Sequence, residues 1–253
     1  MTNSKDTFAV IICAAGSSKR MGGRKKEYLP LEDGLSVLGS AVSAFASCQR
    51  IGPIVILLPS IQKKEDRPIL SKVSEELRQI YPYTRDQYES NRRCLLFVTG
   101  GQTRRASVYN ALMQLDELHP SYVLIHDGAR PWIKKPLIEN IIDAVVKYDA
   151  VIPALEMTET PKELYWQLQP KDAGDNFIKT HLKRMTHCLA QTPQAFKFPE
   201  ILISHNKAAV MEKRNAVEYT DDAEIWAEFM GKVAVISGDP DNRKITYPED
   251  IRN

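Results

Sequence analysis

Five cations, Lys19, Arg20, Arg24, Lys25 and Lys26, lie within ten residues of Gly16, and a single acid, Glu27, stands among them. Basic side chains crowded into a short loop neutralise a dense anion. Gly16, Ser17 and Ser18 just before them are small enough for main-chain N–H groups to approach a phosphate closely, so the expected ligand is a polyphosphate. Two phosphate loops can be tested against the letters. The P-loop requires GxxxxGK[ST], which Gly16 to Met21 does not supply, and the dinucleotide fingerprint GxGxxG fails at Ser18, where its second glycine belongs. The loop therefore reads as a nucleotide site of another kind, and a dinucleotide-dependent oxidoreductase is excluded.

A second chemical signal is Asp127, at the end of the apolar run VLIHD. A carboxylate where a buried run ends requires a cation or a hydrogen-bond donor. An N-cap role and an ion pair with Arg130 remain open on the sequence alone.

Strand-like runs that would position these residues occur at Phe8–Ala14, Pro53–Leu58, Cys94–Val98, Tyr122–His126, Ala150–Ala154 and Val233–Ser237, with helical patterns between most of them. The clearest helix is Arg104–Leu118, where Val108, Ala111, Leu112 and Leu115 recur at helical spacing. Strands alternating with helices predict an α/β fold with a mostly parallel sheet covered on both faces and ligands beyond the carboxyl ends of its strands. Two stretches break the rhythm. Gln62–Asn91 reads as a helix and a long exposed connection with a Tyr-rich tail, and Leu155–Leu189 as a polar arm containing the turn-like KDAGDN.

Composition agrees with a globular α/β protein of modest charge. The chain has 253 residues, 43% of them hydrophobic, enough for one α/β domain with an arm insertion at about 155–189. A net charge of +2 offers no broad basic face for nucleic acid. Cys13, Cys48, Cys94 and Cys188 show no metal spacing and are expected to be reduced, buried thiols. No apolar stretch approaches a bilayer span and no signal-peptide core is evident, so a cytoplasmic protein with no membrane partner is expected.

The run AAGSSKRMGGRKKEYLPL resembles the signature AAGxGxRMxxxxPKxxLxL of nucleotidyltransferases acting on sugar nucleotides and polyol phosphates. Four further blocks, GGQTRRASVYNAL, HDGARP, TPQAF with TDDA, and DNRKITYPED, follow in the order found in the 2-C-methyl-D-erythritol 4-phosphate cytidylyltransferase family, and the similarity spans nearly the whole chain. It implies a Rossmann-like three-layer nucleotidyltransferase fold with a protruding dimerisation arm, a homodimer, CTP and a polyol phosphate as substrates, and Mg²⁺ as cofactor. On matching positions, Ala14, Ala15, Gly16, Gly101 and Ser107 hold the nucleotide. Arg20, Lys26 and Lys244 stabilise the reacting phosphates, and Asp127 serves both nucleotide and metal. Arg130, Thr160, Arg184, Thr192 and Thr220 bind the acceptor phosphate. Lys19, Arg24 and Lys25 are then solvated loop charges. His126 is a packed strand-end histidine, because an acceptor phosphate already ionised at pH 7 needs no base. Ser107 alternatively reads as a hydroxyl capping a helix N-terminus.

Departures from the family pattern are Lys25 where proline is usual, Ser18 for the second glycine, Cys13 for a common proline, and HDGARP for HDAARP. A ribitol 5-phosphate cytidylyltransferase shares the CTP site and is the nearest alternative. A catalytically silent nucleotide-binding subunit is the alternative of another class, disfavoured by the joint presence of Arg20, Lys26, Asp127 and Lys244.

Overall fold

The protein is described by a computed structural model over residues 6–16, 18, 21–22, 25–60, 67–165, 177–215 and 217–251. Its elements run in chain order β1 (Phe8–Cys13), α1 (Val37–Ala46), β2 (Ile51–Leu58), α2 (Arg67–Ile80), α3 (Tyr88–Asn91), β3 (Cys94–Thr99), α4 (Arg104–Asp116), β4 (Tyr122–Asp127), α5 (Lys135–Tyr148), β5 (Ala150–Glu156), β6 (Lys162–Leu164), β7 (Ile178–His181), β8 (Cys188–Ala190), β9 (Gln194–Lys197), α6 (Glu200–Asn215), α7 (Asp222–Phe229) and β10 (Ala234–Ser237). The main sheet has eight strands ordered β10-β5-β9-β4-β1-β2-β3, with β8 paired to β5. Pairs β1–β2, β1–β4, β2–β3 and β5–β10 are parallel, whereas β9 and β8 run antiparallel to their neighbours.

Both faces of β1 are buried, so its side chains alternate between two cores. Phe8, Val10 and Ile12 join a cluster with α1, α2 and α5, whereas Ala9 and Ile11 pack with α4, α6 and α7. That gives three layers. The central strand is pinned in register against both neighbours, and Cys13 stands opposite Asp127 on β4 and Leu57 on β2. Loops leaving these strands therefore emerge side by side.

Several expectations are corrected by the fold. The Tyr-rich stretch before β3 is anchored: Tyr81 and Tyr88 are buried, and their hydroxyls donate to Gly52 O at 2.5 Å and Leu118 O at 2.8 Å. The arm is shorter than 155–189, because β5 extends to Glu156 and β8 pairs back onto it. Between them β6 and β7 form an antiparallel hairpin. The expected KDAGDN turn lies outside the described residues. Cys188 is exposed on β8, while Cys48 and Cys94 are buried and Cys13 is partly so; all are free thiols.

Candidate active site

The loops after β1, β3 and β4 and the segment 241–246 line one cleft of about 580 Å³, at the carboxyl ends of the parallel strands. Close approach at its floor is made possible by Gly100, where a Cβ would fall 2.5 Å from that of Ala15. Gly100 N–H donates to Leu58 O at 2.8 Å, which fixes the second loop beneath the first.

After β1 the chain turns through Ser18, which has φ +49°, and Ser18 Oγ donates to the buried Glu27 carboxylate at 3.2 Å. Burial raises the pKa of Glu27 above the ordinary carboxyl value. Lys25 Nζ donates to Gly16 O at 2.8 Å, so it braces the loop and is not merely a solvated charge. Lys26 is 7% exposed, and its ammonium donates to Ile245 O at 2.7 Å, linking the first loop to the segment that follows β10. Ala14 is fully buried beneath the cleft, its N–H donating to Leu57 O and its carbonyl accepting from Tyr28 Oη. Ala15, Gly16 and Ser18 line the cleft itself. Arg20, with Lys19 and Arg24, lies outside the described residues.

On the facing wall, Thr103 caps α4 by accepting from Ala106 N–H at 3.0 Å. Ser107, the alternative cap, has a different role. Its hydroxyl accepts from Gly101 N–H at 3.0 Å and donates to Thr103 O at 2.8 Å, shaping the turn that presents Gly101 to the cleft. Arg104, between them, also lines the cleft, although it is not among the site residues expected from the sequence.

Asp127 stands at the cleft's edge with Lys244 Nζ at 2.8 Å and Arg130 Nε at 3.6 Å. Burial alone would raise its pKa, but the Lys244 ammonium, then Arg104 and Arg130, outweigh that and hold the carboxyl well below its usual range. The N-cap reading fails, and the Arg130 pair is the longer of two ion contacts. Lys244 arrives because the terminal segment crosses the β4 loop: Ile245 N–H donates to Ala129 O at 2.8 Å, and Arg130 Nη1 donates to Asn242 O at 2.7 Å.

Beneath Asp127, His126 is fully buried and edge-on to Phe45. Its Nε2 lies 3.1 Å from Arg130 O and its Nδ1 3.1 Å from Thr192 Oγ1. Arg130 O can only accept, so Nε2 carries the hydrogen; in the neutral ring Nδ1 then accepts from the Thr192 hydroxyl, whose oxygen also accepts from Asp127 N–H at 3.0 Å. Burial lowers the imidazole pKa to about 4. The packed-histidine expectation holds, with the addition that His126 ties Arg130 to Thr192.

Thr220 does not line this cleft, and its N–H and hydroxyl both donate to Glu224 Oε2 at 2.8 and 2.9 Å. Thr160 and Arg184 are exposed on the arm, and Arg184 Nη1 donates to Thr158 O at 2.9 Å. Neither lines the cleft of its own chain. The structure thus brings together Lys26, Asp127, Lys244, Gly16 and Gly101, sets Arg130 and Thr192 beside them, and leaves the arm residues apart.

A mostly parallel sheet whose first strand ends in a small-residue cationic loop, facing a carboxylate and lysines at the same edge, defines an α/β nucleotidyltransferase. Comparison with known proteins gives the particular family. The profile of the 2-C-methyl-D-erythritol 4-phosphate cytidylyltransferase family matches residues 8–253, and the chain belongs to that family. It is 31% identical over 244 residues to the cytidylyltransferase of that name from Bacillus mycoides, covering 96% of this chain and 94% of the relative. It is also 32% identical to the bifunctional enzyme IspD/IspF of Brucella anthropi, covering 96% of this chain and 53% of that protein. The chain thus spans about half the length of several curated relatives it matches. The crystal structure of 4-diphosphocytidyl-2C-methyl-D-erythritol synthase from Anaerococcus prevotii superposes with a TM-score of 0.74 at 27% identity, over 98% of this chain and 93% of the other.

Proposed function

We propose that this chain transfers the cytidylyl group of CTP to 2-C-methyl-D-erythritol 4-phosphate, releasing pyrophosphate, in isoprenoid biosynthesis. The observation carrying this reading is the convergence of Lys26, Lys244 and Asp127 with the Gly16 loop at one sheet edge, in a chain matched by the family profile over 8–253. An oxygen of the acceptor phosphate attacks the α-phosphorus, an O–P bond forms, and the bond to the bridging oxygen of pyrophosphate breaks. Negative charge grows on the equatorial and leaving oxygens, so fixed cations contribute more than an acid or base. Lys26 and Lys244 supply it, with Arg20 assigned by the family pattern. Lys26 is held in position by Ile245 O and needs little reorganisation.

Mg²⁺ is the proposed cofactor. Asp127 is the cleft-edge carboxylate suited to it, and no group of three or more His, Cys, Asp or Glu lies together among the described residues. One protein carboxylate plus substrate phosphates and water is the donor set Mg²⁺ accepts. Bound there, it would neutralise phosphate charge.

We further propose a cytoplasmic homodimer in which the arm meets a second copy. Tyr165, Phe177, Met185 and Leu189 on or beside the arm strands are exposed apolar side chains, consistent with a covered face. Thr160 and Arg184 would then serve the partner's acceptor site. Among the described residues no helix is long and apolar enough to cross a membrane. Incubating the protein with CTP and Mg²⁺ and either methylerythritol phosphate or ribitol 5-phosphate, with pyrophosphate as readout, tests the assignment. Release only with ribitol phosphate, or with neither, refutes it.

A further inference from the structure

The four residues from Lys25 to Tyr28 fasten the loop after β1 at alternate positions. Tyr28 Oη donates to Ala14 O at 3.0 Å, Lys25 Nζ donates to Gly16 O at 2.8 Å, and Glu27 Oε2 accepts from Ser18 Oγ at 3.2 Å. Two of these bonds come from departures from the family signature, which has glycine at 18 and proline at 25. Each departure keeps a backbone angle suited to the usual residue. Ser18 has φ +49°, in the left-handed region that glycine enters freely and other residues seldom do, and Lys25 has φ −70°, the angle a proline ring fixes. What each side chain adds is a bond across the loop, and the two bonds run in opposite directions over the same nine-residue interval.

These bonds occupy groups that would otherwise oppose an anion. A carbonyl oxygen and a carboxylate both repel phosphate, yet Gly16 and Glu27 line the cleft. Lys25, which is not among the lining residues, gives Gly16 O an ammonium partner. Glu27 is 4% exposed, burial raises its pKa, and the Ser18 hydroxyl takes up one of its oxygens. An acid in a polyphosphate cleft does nothing to attract the ligand, and its contact with the loop is what accounts for it there. A loop fixed beforehand loses less conformational freedom when a ligand arrives, so the same contacts give tighter binding.

We infer that Lys25 and Glu27 are positioning residues that together preset the β1 loop for the triphosphate, Lys25 through Gly16 O and Glu27 through the Ser18 hydroxyl. Lys26 lies between them in the chain, so the same lacing sets where its ammonium starts. This rests on the cleft being the CTP site.

Two measurements on the full chain test the inference: CTP binding and steady-state kinetics in the presence of Mg²⁺, and amide hydrogen exchange of the peptide Ala14–Tyr28 without ligand. Lys25→Met should raise Kd and KM for CTP about fivefold, as for loss of one hydrogen bond, change kcat less, and speed exchange in that peptide. Lys25→Pro supplies a backbone restraint at the angle already present and should recover most of the lost affinity. Equal losses in the two variants that vanish at high salt would make Lys25 a simple attracting charge and overturn the inference. At the other crossing, Glu27→Gln keeps an acceptor oxygen for Ser18 and should lose less than Glu27→Leu, and this comparison decides the matter should Lys25→Pro not fold. The reverse order, or parent affinity and parent exchange in Glu27→Leu, refutes the positioning role. Because either break frees the same loop, Lys25→Met combined with Glu27→Leu should lose less than the product of the single losses, and fully multiplicative losses refute joint action. Lys26→Ala separates the two levels. If it leaves CTP binding and turnover intact, the cleft is not the CTP site and the inference falls with that reading; if it impairs them while Lys25→Met and Glu27→Leu do not, only the present inference fails.

Discussion

Acid should destabilise this protein through one residue before its carboxylates respond. His126 is enclosed by Phe45, Arg130 O and Thr192 Oγ1, and burial lowers its pKa from 6.5 to about 4. As pH falls below 6.5 the unfolded chain binds a proton that the folded chain refuses. Stability from this group is therefore complete above about pH 6.5, falls with pH, and is lost by about pH 4. At 1.36 kcal/mol per pH unit the interval integrates to about 3 kcal/mol, of which about 2 is lost between pH 6.5 and 5. Asp222, with burial outweighed by Arg104 and then His205, titrates at about 2 and weakens the fold only in stronger acid, below the ordinary value of 3.8. Urea unfolding of the parent and His126→Gln at pH 7 and pH 5 separates the contributions. The parent should lose about 2 kcal/mol more than the variant over that interval, and NMR of the ring protons should find the imidazole neutral at pH 5. Equal losses in the two chains, or an imidazole titrating near 6.5, would refute the buried neutral assignment.

Lys26→Ala should lower turnover at saturating CTP by about a hundredfold and CTP affinity much less, since its charge is met most fully in the transition state; an affinity loss with unchanged kcat contradicts this. Asp127→Asn should abolish most metal-dependent activity and still unfold cooperatively, and full Mg²⁺-dependent turnover would move the metal elsewhere. With iodoacetamide at pH 8, Cys188 should label readily, whereas Cys13, pushed up to about 12 by burial, should not react until the protein unfolds, as peptide mapping would reveal. Mixing Arg20→Ala with Arg184→Ala chains should restore activity if the arm completes the partner's site, and no recovery after verified subunit exchange would mean each chain completes its own pocket.

Sequence made the parallel framework legible because buried strands declare themselves: FAVIIC, IVILL and VLIHD are apolar on both faces, as a doubly covered sheet requires. β9 and β8 escaped notice for the same reason in reverse, being short and antiparallel, with QAFK and CLA too brief for a period. Tyr81 and Tyr88 read as exposed because their neighbours are charged, yet each buries a ring and finds a carbonyl for its hydroxyl, a pairing set by distant backbone. At the site, Lys26, Asp127 and Lys244 were legible from motif blocks. Arg104 was not, since its carboxylate partner, Asp222, lies 118 positions away. The doubled arginine at a helix start was the available signal.

That signal belongs to a wider pattern. Local physical chemistry is contravened at several points in this chain: a lysine buried against a carbonyl, a serine at positive φ, a raised carboxyl at Glu27, a neutral histidine under an ionised aspartate, and arginine at a helix N-terminus. Each of these is individually unfavourable for folding. All fall at the carboxyl edge of β1, β3 and β4, where the structure holds them with bonds to Ile245, Glu27, Ser18, Thr192 and Asp222 respectively. A fold selected only for stability has no reason to gather its exceptions in one place, whereas the proposed polyphosphate site requires fixed charges and aimed donors there before a ligand arrives. Arg104 shares this feature with Lys26: it lines the same cleft, and its position at the start of α4 runs against the helix dipole.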